Sequence, residues 1–465
     1  MKRNEFIKTS LLGAAACLLQ PLRGKAAPLS NKNVAYYTPM SDDYNSLRAG
    51  FNSRINKHPL LIAVCENTLG VQQAVQYANL FQLPVSIKSG GHCMEGFSCG
   101  EQSMQIIVSP MKKINWIDKN NIKVGPGCLL HELYEALLPR KKILPGGSCA
   151  TVGIGGLTLG GGYGLLSRQY GLTCDNLTAV KMIDGKGKLI DSVQDPALLW
   201  ACKGGGNGNF GAVTELSFRL HDSPALMSSY RFRAKKINIA RGRQILSAWF
   251  EACQHLPKQA FSACLFNGNN AYILLTHTGT ALASINTFIT QMKPLLDTFT
   301  ANRNQELSLA LKNYYGQPHP VLFKNASAGL YKSFMDIDAC LDDILGIVFN
   351  SKGMIYQVNT LGGVIQDADA ESHSAFPHRA YPYFSELQTY WDTPKAGELL
   401  MEQFQEVQQI IAKAGIEAQY RNYPDIHFEH FEEKYYGQNL KKLQDIKQQY
   451  DPENRFRHEQ SIRVS

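Results

Sequence analysis

Three glycine-rich clusters and one histidine are the features of this 465-residue sequence whose types and spacing could perform chemistry. Gly90 and Gly91 stand directly before His92, behind an apolar stretch, and further clusters lie at 146–162 and 204–211. Glycine lets several backbone amides approach one ligand and point at the same anion. Any one cluster alone would more often mark a turn, but three together predict a site for a pyrophosphate that carries a sugar and a ring.

The glycine clusters do not match the Rossmann dinucleotide fingerprint. The segments GIGG at 153–156 and GNGNFG at 206–211 are superficially similar to it. Neither segment opens a helix after a strand within a βαβ unit that carries an acidic residue downstream, and the fingerprint requires that context. The sequence therefore predicts that the glycine clusters belong to a different fold.

The elements that must position these clusters show mixed helix and strand patterns. Residues 58–67 predict an apolar strand, residues 68–82 have helical spacing with Thr68 as the N-cap, and residues 83–88 predict a second strand. This order is an α/β unit that ends at the Ser-Gly-Gly-His turn. A hairpin with its turn at 184–187 follows later in the chain. The predicted fold class is α+β.

The length of the chain exceeds one ordinary hydrophobic core and favours two or three domains. The part that is dense in glycine ends at about residue 222. Residues 223–415 have fewer glycines and alternate strand patterns with helical ones, and residues 416–465 end in a predicted helix and a short tail.

Composition and charge argue against several function classes. The net charge is +8, but the basic residues are scattered rather than clustered, so a nucleic-acid partner is not expected. The eleven cysteines show no zinc-finger spacing, so no metal site is expected. Most of these thiols are expected to be small buried side chains.

Residues 1–27 have the layout of a secretory signal peptide. A basic start is followed by an apolar run and by small residues for cleavage near Ala26 and Ala27. Lys2 and Arg3 resemble a twin-arginine signal in which one arginine is replaced by lysine, and Cys17 leaves lipid attachment as an alternative. The apolar run is too short to cross a membrane. We therefore expect an exported protein, periplasmic or secreted, without a membrane span.

Several segments together resemble the berberine-bridge-enzyme-like group of the vanillyl-alcohol oxidase superfamily. They are PVSIKSGGHC, GPGCLLHELYEAL, LPGGSCATVGIGGLTLGGGYGLLSRQYGLTCDNL, WACKGGGNGNFGAVT, AFPHRAYPYF and the tail from RNYPD to EQSI, in family order. The resemblance implies a two-domain PCMH-type FAD-binding fold. It assigns 55–222 to the FAD domain, 223–415 to a substrate domain with an antiparallel sheet covered by helices, and 416–465 to a C-terminal segment that returns to the FAD domain.

The resemblance also implies that FAD is held by two covalent bonds. His92 matches the family's histidine that bonds the 8α methyl group of the flavin, and a neutral imidazole is a competent nucleophile. Cys174 matches the cysteine that bonds carbon 6 in bicovalent members. The alternatives are a surface histidine at the first position and a buried structural thiol at the second. Lys88, Cys93 and Asn207 depart from the family pattern without removing either bond.

Further cofactor contacts are implied by the same motifs. Backbone amides would meet the pyrophosphate at Ser89, Gly90, Gly91, Gly147, Ser148, Val152, Gly153 and Gly156, and the ring or the adenine would lie along Gly164, Asp175 and Val213. For each of these residues taken alone, a role in a turn or in packing is the alternative.

The reaction that the resemblance implies is oxidation of an alcohol, in which a base takes a proton, flavin N5 takes a hydride, and dioxygen becomes hydrogen peroxide. The implied base is Tyr420 or Tyr423, with Arg421 as a positive neighbour that could stabilise a phenolate. A second catalytic position on the strand after FPHR falls at Gln388, with Glu386 on the same face. Aromatic packing for the tyrosines and a solvent-facing strand position for the glutamine are the alternatives.

The substrate is expected to be a small molecule, and the sequence leaves its identity open. Members of the resembled family oxidise sugars, oligosaccharides, alkaloids and polyketide or glycopeptide intermediates, and export favours a carbohydrate. Two other functions stay open. A flavin-linked dehydrogenase would pass electrons to a carrier other than oxygen, and a non-catalytic exported flavoprotein would hold FAD without turnover.

Overall fold

A computed structural model describes residues 30–279 and 283–464, and the predicted signal segment 1–27 lies outside them. The α+β fold class is confirmed. The strands are β1 (Val34–Tyr37), β2 (Leu61–Cys65), β3 (Val85–Lys88), β4 (Met104–Ile107), β5 (Ile114–Trp116), β6 (Asn121–Val124), β7 (Lys142–Ile143), β8 (Leu177–Asp184), β9 (Leu189–Asp191), β10 (Gly211–Arg219), β11 (His221–Asp222), β12 (Leu226–Ala234), β13 (Ala260–Asn267), β14 (Asn270–Thr278), β15 (Thr298–Glu306), β16 (Phe323–Tyr331), β17 (Met354–Thr360) and β18 (Tyr383–Tyr390).

The α-helices connect and cover these strands. They are α1 (Tyr44–Arg48), α2 (Thr68–Leu80), α3 (Leu130–Leu137), α4 (Ile154–Leu159), α5 (Ser167–Tyr170), α6 (Pro196–Cys202), α7 (Ile239–Cys253), α8 (Ala283–Met292), α9 (Leu307–Lys312), α10 (Met335–Asp338), α11 (Leu341–Asn350), α12 (Ala368–Ser372), α13 (Pro394–Lys413), α14 (Phe431–Tyr436) and α15 (Leu440–Tyr450). Short 3-10 helices lie in the connections between these elements, as at Thr173–Asn176.

Two sheets in the first half of the chain carry the glycine clusters. One has the order β1-β2-β4-β3, with β2 and β3 both parallel to β4, and the other is the antiparallel order β5-β6-β10-β8-β9. Helix α2 buries its apolar face, including Val71 and Val75, in the core between these sheets. The cap of α2 differs from the prediction, because the Asn67 side chain, not that of Thr68, accepts a hydrogen bond from Gly70 N at 3.0 Å.

The seven-stranded antiparallel sheet follows in the chain, with the order β15-β12-β14-β13-β17-β18-β16. Side chains alternate between its two faces, as the strand period of two requires. In β13, Cys264 and Phe266 join the core beneath the covering helices, whereas Ala263 and Leu265 face a cavity on the opposite side. One sheet therefore supplies a hydrophobic core on one face and a binding wall on the other.

The C-terminal tail returns to the first sheet. Val85 N donates to Arg455 O at 2.7 Å, so the edge strand β3 is extended by the tail. The fully buried Lys447 donates to Asn209 O at 2.7 Å and to Asp451 at 2.6 Å, which ties α15 to the third glycine cluster. The single tail helix expected from the sequence is instead two helices, because Gly437 adopts a φ of 48° between them.

A buried ion cluster joins three distant parts of the chain. Lys324 in β16 is 1% exposed and pairs with Glu95, in the loop behind His92, and with Asp425 at 2.7 Å. Arg54 adds a second cation on Glu95 at 2.7 Å. Since removing one partner of a buried pair leaves the others uncompensated, this cluster fixes the relative positions of the three segments.

We expect Lys324→Met to lower the free energy of unfolding by about 3–5 kcal/mol, because two carboxylates lose their shared buried counter-ion. Urea denaturation followed by circular dichroism measures this change. The matched control is Lys312→Met, at an exposed lysine of α9, where a change within about 0.5 kcal/mol is expected. Equal denaturation midpoints for the two variants would show that the cluster does not hold the segments together.

Candidate active site

A cavity of about 440 Å³ lies between the glycine loops and the open face of the seven-stranded sheet. Most of the residues predicted for the site line this one cavity. They are Ser89, Gly90, Gly91, His92, Gly147, Ser148, Val152, Gly153, Gly156, Gly164, Val213, Tyr420 and Tyr423. Cys174, Asp175 and Gln388 are the predicted residues that do not line it.

The glycine loops leave room for a ligand against their backbone. A Cβ atom added at Gly156 or at Gly208 would meet nothing within 4 Å, so both glycines face open space inside the cavity. At Gly90, by contrast, a Cβ would lie 2.4 Å from Gly153 N, so these two loops pack backbone against backbone. Such a cradle of amides suits an extended, negatively charged ligand, and the residues present therefore fit the expected FAD.

His92 projects into the cavity from the turn that follows β3. Its Nε2 lies 2.9 Å from the Thr151 hydroxyl, and its ring stacks on Phe51 with the centroids 4.2 Å apart. Burial lowers the pKa of His92 to about 4, so the imidazole is neutral and keeps a lone pair for bonding. Lys88 is not part of this site, because its ammonium donates to the carbonyls of Leu47 and Ala49 at the end of α1.

Cys174 lies away from the cavity. It is completely buried in the 3-10 turn Thr173–Asn176, where it packs with Phe376 and Tyr420, and burial holds the pKa of its thiol well above the usual value. The neighbouring Asp175 accepts a hydrogen bond from Leu172 N and pairs with Arg379, so it stabilises this turn instead of meeting a ligand. The local sequence matched a motif, but the turn points its thiol into the protein core.

Cys149 is a site residue that the sequence reasoning missed. Of the ten cysteines that the structure describes, all unpaired, only Cys93 and Cys149 are not fully buried, and both line the cavity. Burial and then the charge of Glu386 raise the pKa of the Cys149 thiol. A signal was available, because Cys149 follows Ser148 directly within the second glycine cluster.

Glu386 is the only carboxylate on the cavity wall within the part of the chain that the structure describes. It lies on β18, and its two oxygens each accept a hydrogen bond at 3.2 Å, one from Asn325 and one from Asn359. Burial raises the pKa of Glu386. A carboxylate held this way at the cavity can accept a proton from a ligand bound there.

The two predicted tyrosines have different surroundings. Tyr420 accepts hydrogen bonds at its phenolic oxygen from Gly162 N at 3.0 Å and from Asn422 at 3.1 Å, so it is fixed to the second glycine cluster. The Tyr423 hydroxyl makes no hydrogen bond to another described residue. Burial, and then the charge of Glu386, raises the pKa of Tyr423 well above its usual value, and burial also raises that of Tyr420.

Neither the predicted helper of these tyrosines nor the predicted glutamine has the contacts expected for it. Arg421 donates to Tyr436 and stacks near Phe97, so it does not stabilise either phenolate. Gln388 accepts a hydrogen bond from the Tyr390 hydroxyl at 2.9 Å and stands two residues beyond Glu386, about 7 Å along the strand. The predicted strand face is therefore the one that meets the cavity, but Glu386 occupies the position assigned to Gln388.

Two family models match the chain at the segments that form this cavity. A model described as FAD binding domain matches residues 59–192, and one described as berberine and berberine like matches residues 419–463. The uncharacterized FAD-linked oxidoreductase YvdP of Bacillus subtilis is 28% identical over 434 residues, which cover 90% of this chain and 95% of that protein. The chain is thus similar to the berberine-bridge-enzyme-like FAD-linked oxidoreductases over most of its length. The family resemblance and FAD as the cofactor are thereby confirmed.

Solved structures share the fold of this chain. A chitooligosaccharide oxidase aligns with a TM-score of 0.82 at 23% identity and covers 97% of this chain and 99% of its own. A berberine bridge enzyme variant described as a reticuline dehydrogenase aligns with a TM-score of 0.81 at 22% identity, over 93% of this chain and 96% of its own. Within the described residues, no helix is long and apolar enough to cross a membrane.

Proposed function

We propose that this protein is an oxidase that holds FAD covalently and oxidises an alcohol group of a neutral small molecule. The observation that carries the proposal is the shared cavity, which brings the neutral His92 and the amide cradle to the same space as Glu386 and Tyr423. A cofactor anchor, a proton acceptor and a substrate wall are what alcohol oxidation by a flavin requires.

The covalent anchors in this proposal are His92 and Cys149. His92 supplies a neutral imidazole at the turn after β3, and Cys149 supplies the thiol that lines the cavity close to Glu386. Cys174, the cysteine expected from the sequence motif, is completely buried outside the cavity and has no path to a ligand there. Two bonds at different edges of the flavin would fix its orientation against the sheet.

Glu386 is the proposed proton acceptor for the substrate hydroxyl. When bound, FAD supplies the hydride acceptor for the carbon that is oxidised. Glu386 has two amide donors that hold its carboxylate in place, and burial raises its pKa, which makes it a stronger base than an exposed glutamate. A phenolate at Tyr420 or Tyr423 is disfavoured by burial, so the tyrosines are proposed to orient the hydroxyl group.

The wall of the sheet indicates the kind of substrate. Leu274 pairs with Ala263 across the sheet, and Leu265 pairs with Gln357, which pairs in turn with Glu386. The wall thus changes from apolar at one side to amide and carboxylate at the other, and none of the described residues that form it is a cation. We infer a neutral alcohol whose apolar body rests on the leucines, and a sugar would qualify through its apolar ring face. The name of the chitooligosaccharide oxidase among the structural neighbours agrees with a carbohydrate as one such neutral alcohol.

Export is part of the proposal. It rests on the sequence of residues 1–27, which has a basic start, an apolar run and small residues for cleavage. A substrate met outside the cytoplasm agrees with an oxidase that uses dioxygen.

The choice between an oxidase and a dehydrogenase is tested by anaerobic reduction with a panel of alcohols, followed by air. In an oxidase, the flavin is expected to lose its yellow colour when a substrate reduces it. On admission of air the colour should return, with one hydrogen peroxide formed per turnover. Reoxidation only by an added quinone or dye would instead identify a dehydrogenase, as the name of one structural neighbour suggests. Flavin that no alcohol bleaches would support a non-catalytic flavoprotein.

We expect covalent flavin on peptides that contain His92 and Cys149. Acid precipitation should leave a yellow pellet for the wild type and for Cys174→Ala, and mass spectrometry of digests should find flavin mass on both peptides. His92→Ala and Cys149→Ala should each keep one bond, and the double variant should release all its flavin. Flavin mass on the Cys174 peptide would overturn the assignment of Cys149.

We expect Glu386→Gln to slow substrate-dependent flavin reduction by about 10²–10⁴-fold, because the proton acceptor is lost while the shape is kept. The matched control is Gln388→Ala, on the same strand face but outside the cavity, which should reduce at nearly the wild-type rate.

The pH profile gives a second readout of Glu386. A base works only when it is deprotonated, so wild-type kcat/KM should fall as the pH drops through the raised pKa of this carboxyl group. The acid limb should therefore lie above the usual range of a glutamate and should vanish in Glu386→Gln. Equal reduction rates in wild type and Glu386→Gln would remove Glu386 from the mechanism.

A further inference from the structure

Arg421 is a buried guanidinium that lines the cavity without a carboxylate partner. It is 4% exposed, and no aspartate or glutamate of the described residues pairs with it. Its Nε donates to the Tyr436 hydroxyl at 3.1 Å, and its charge lies over the rings of Tyr435 and Phe97, with 5.3 and 5.7 Å to their centroids. A guanidinium carries five N–H donors, so most of its capacity is unused by neighbouring side chains. Buried charges of this kind are normally paired.

His458 lies beside Arg421 and does not neutralise it. The His458 Nδ1 accepts a hydrogen bond from Gln460 N at 3.1 Å, so a neutral ring carries its proton on Nε2. That Nε2 is 3.4 Å from Asn207 O, to which it donates, and 3.3 Å from Arg421 Nη2. Burial, and then the charge of Arg421, holds the pKa of His458 well below its usual value. The ring thus lies against the guanidinium as a neutral group.

The thiol of Cys93 does not supply the missing negative charge either. It lies on the loop behind His92 and lines the cavity, and as a thiolate it would interact with the charge of Arg421. Burial raises the pKa of Cys93, so it remains a neutral thiol at physiological pH. The charge of Arg421 is therefore left for a ligand.

The position of Arg421 indicates which part of a ligand it meets. The guanidinium stacks near Phe97, on the loop that begins at the Ser-Gly-Gly-His turn, and touches His458, which binds Asn207 of the third glycine cluster. Gly208, the next residue, faces open space in the cavity. The unpaired cation thus stands where two of the glycine loops converge, and amide donors with one fixed cation are the chemistry that binds a diphosphate.

We propose that Arg421 is the counter-cation of the FAD diphosphate, and that the neutral ring of His458 lies beside it without compensating its charge. The bound diphosphate accepts hydrogen bonds from Arg421 N–H groups and compensates its buried charge. This assignment depends on FAD binding alone, and it holds whether the enzyme is an oxidase, a dehydrogenase or a silent flavoprotein.

The test compares the binding of FAD, which carries the diphosphate, with that of riboflavin, which lacks any phosphate. Flavin must be able to dissociate, so the background is the double variant His92→Ala/Cys149→Ala, and binding is read from flavin fluorescence. In this background Arg421→Met should weaken FAD on the order of tenfold or more and change riboflavin by less than about twofold. The control Arg168→Met removes another buried arginine, one that donates to three backbone carbonyls away from the cavity, and should leave the FAD-to-riboflavin ratio unchanged.

Two results would overturn the assignment. Equal loss of FAD and riboflavin affinity in Arg421→Met would mean that the residue meets the ring or only supports the fold, and no loss of either would mean that it meets no ligand charge.

A second measurement needs no substitution at Arg421 and remains decisive if Arg421→Met does not fold. In the dissociable background, ADP, which carries a diphosphate, should compete with FAD at a concentration about tenfold or more below that of adenosine, which carries none. Equal competition by ADP and by adenosine would exclude a cation at the diphosphate.

Discussion

The structure depends on one ammonium group, that of Lys324, which is shared by two carboxylates from remote parts of the chain. Glu95 lies three residues behind His92, and Asp425 lies two residues behind Tyr423, while Lys324 itself is in the large sheet. The anchor side, the substrate side and the C-terminal segment of the cavity are thus fixed to one buried point. A pairing of this kind contributes more to register than to net stability, because desolvation consumes much of its Coulombic energy.

Much of the first half of the fold could be predicted because its signals are local. The strand–helix–strand unit, the hairpin at 184–187 and the Ser-Gly-Gly-His turn are each decided by neighbouring residues, and all are present in the structure. By contrast, β16 (Phe323–Tyr331) was not predicted. It carries Lys324, Asn325 and other polar residues that are buried only because distant carboxylates and amides satisfy them. Local patterns cannot show such partners.

The site residues divide in the same way. A glycine-rich turn is visible in the local sequence, so the positions of His92 and of the amide cradle at the cavity could be predicted. Whether Cys149 or Cys174 reaches the cavity depends on how deeply each thiol is buried. That burial is set by how the local turn packs against elements far away in the chain. Glu386 and Gln388 lie on the same face of β18. The cavity ends between them along the strand, so Glu386 lines it and Gln388 does not. Arg421 was expected to assist the tyrosines, but residues 420–423 form a turn closed by a hydrogen bond from Tyr423 N to Tyr420 O, and the guanidinium meets Tyr436 and Phe97.

The tail that returns to the first sheet has a consequence for the order of events in the cell. Tyr420, Arg421 and Asn422 close the cavity, and Lys447 binds the loop of the third glycine cluster. These residues leave the ribosome after both halves of the chain that they join. The FAD pocket is therefore complete only after the tail has been synthesised and has docked. Bound flavin would then indicate that both steps have occurred.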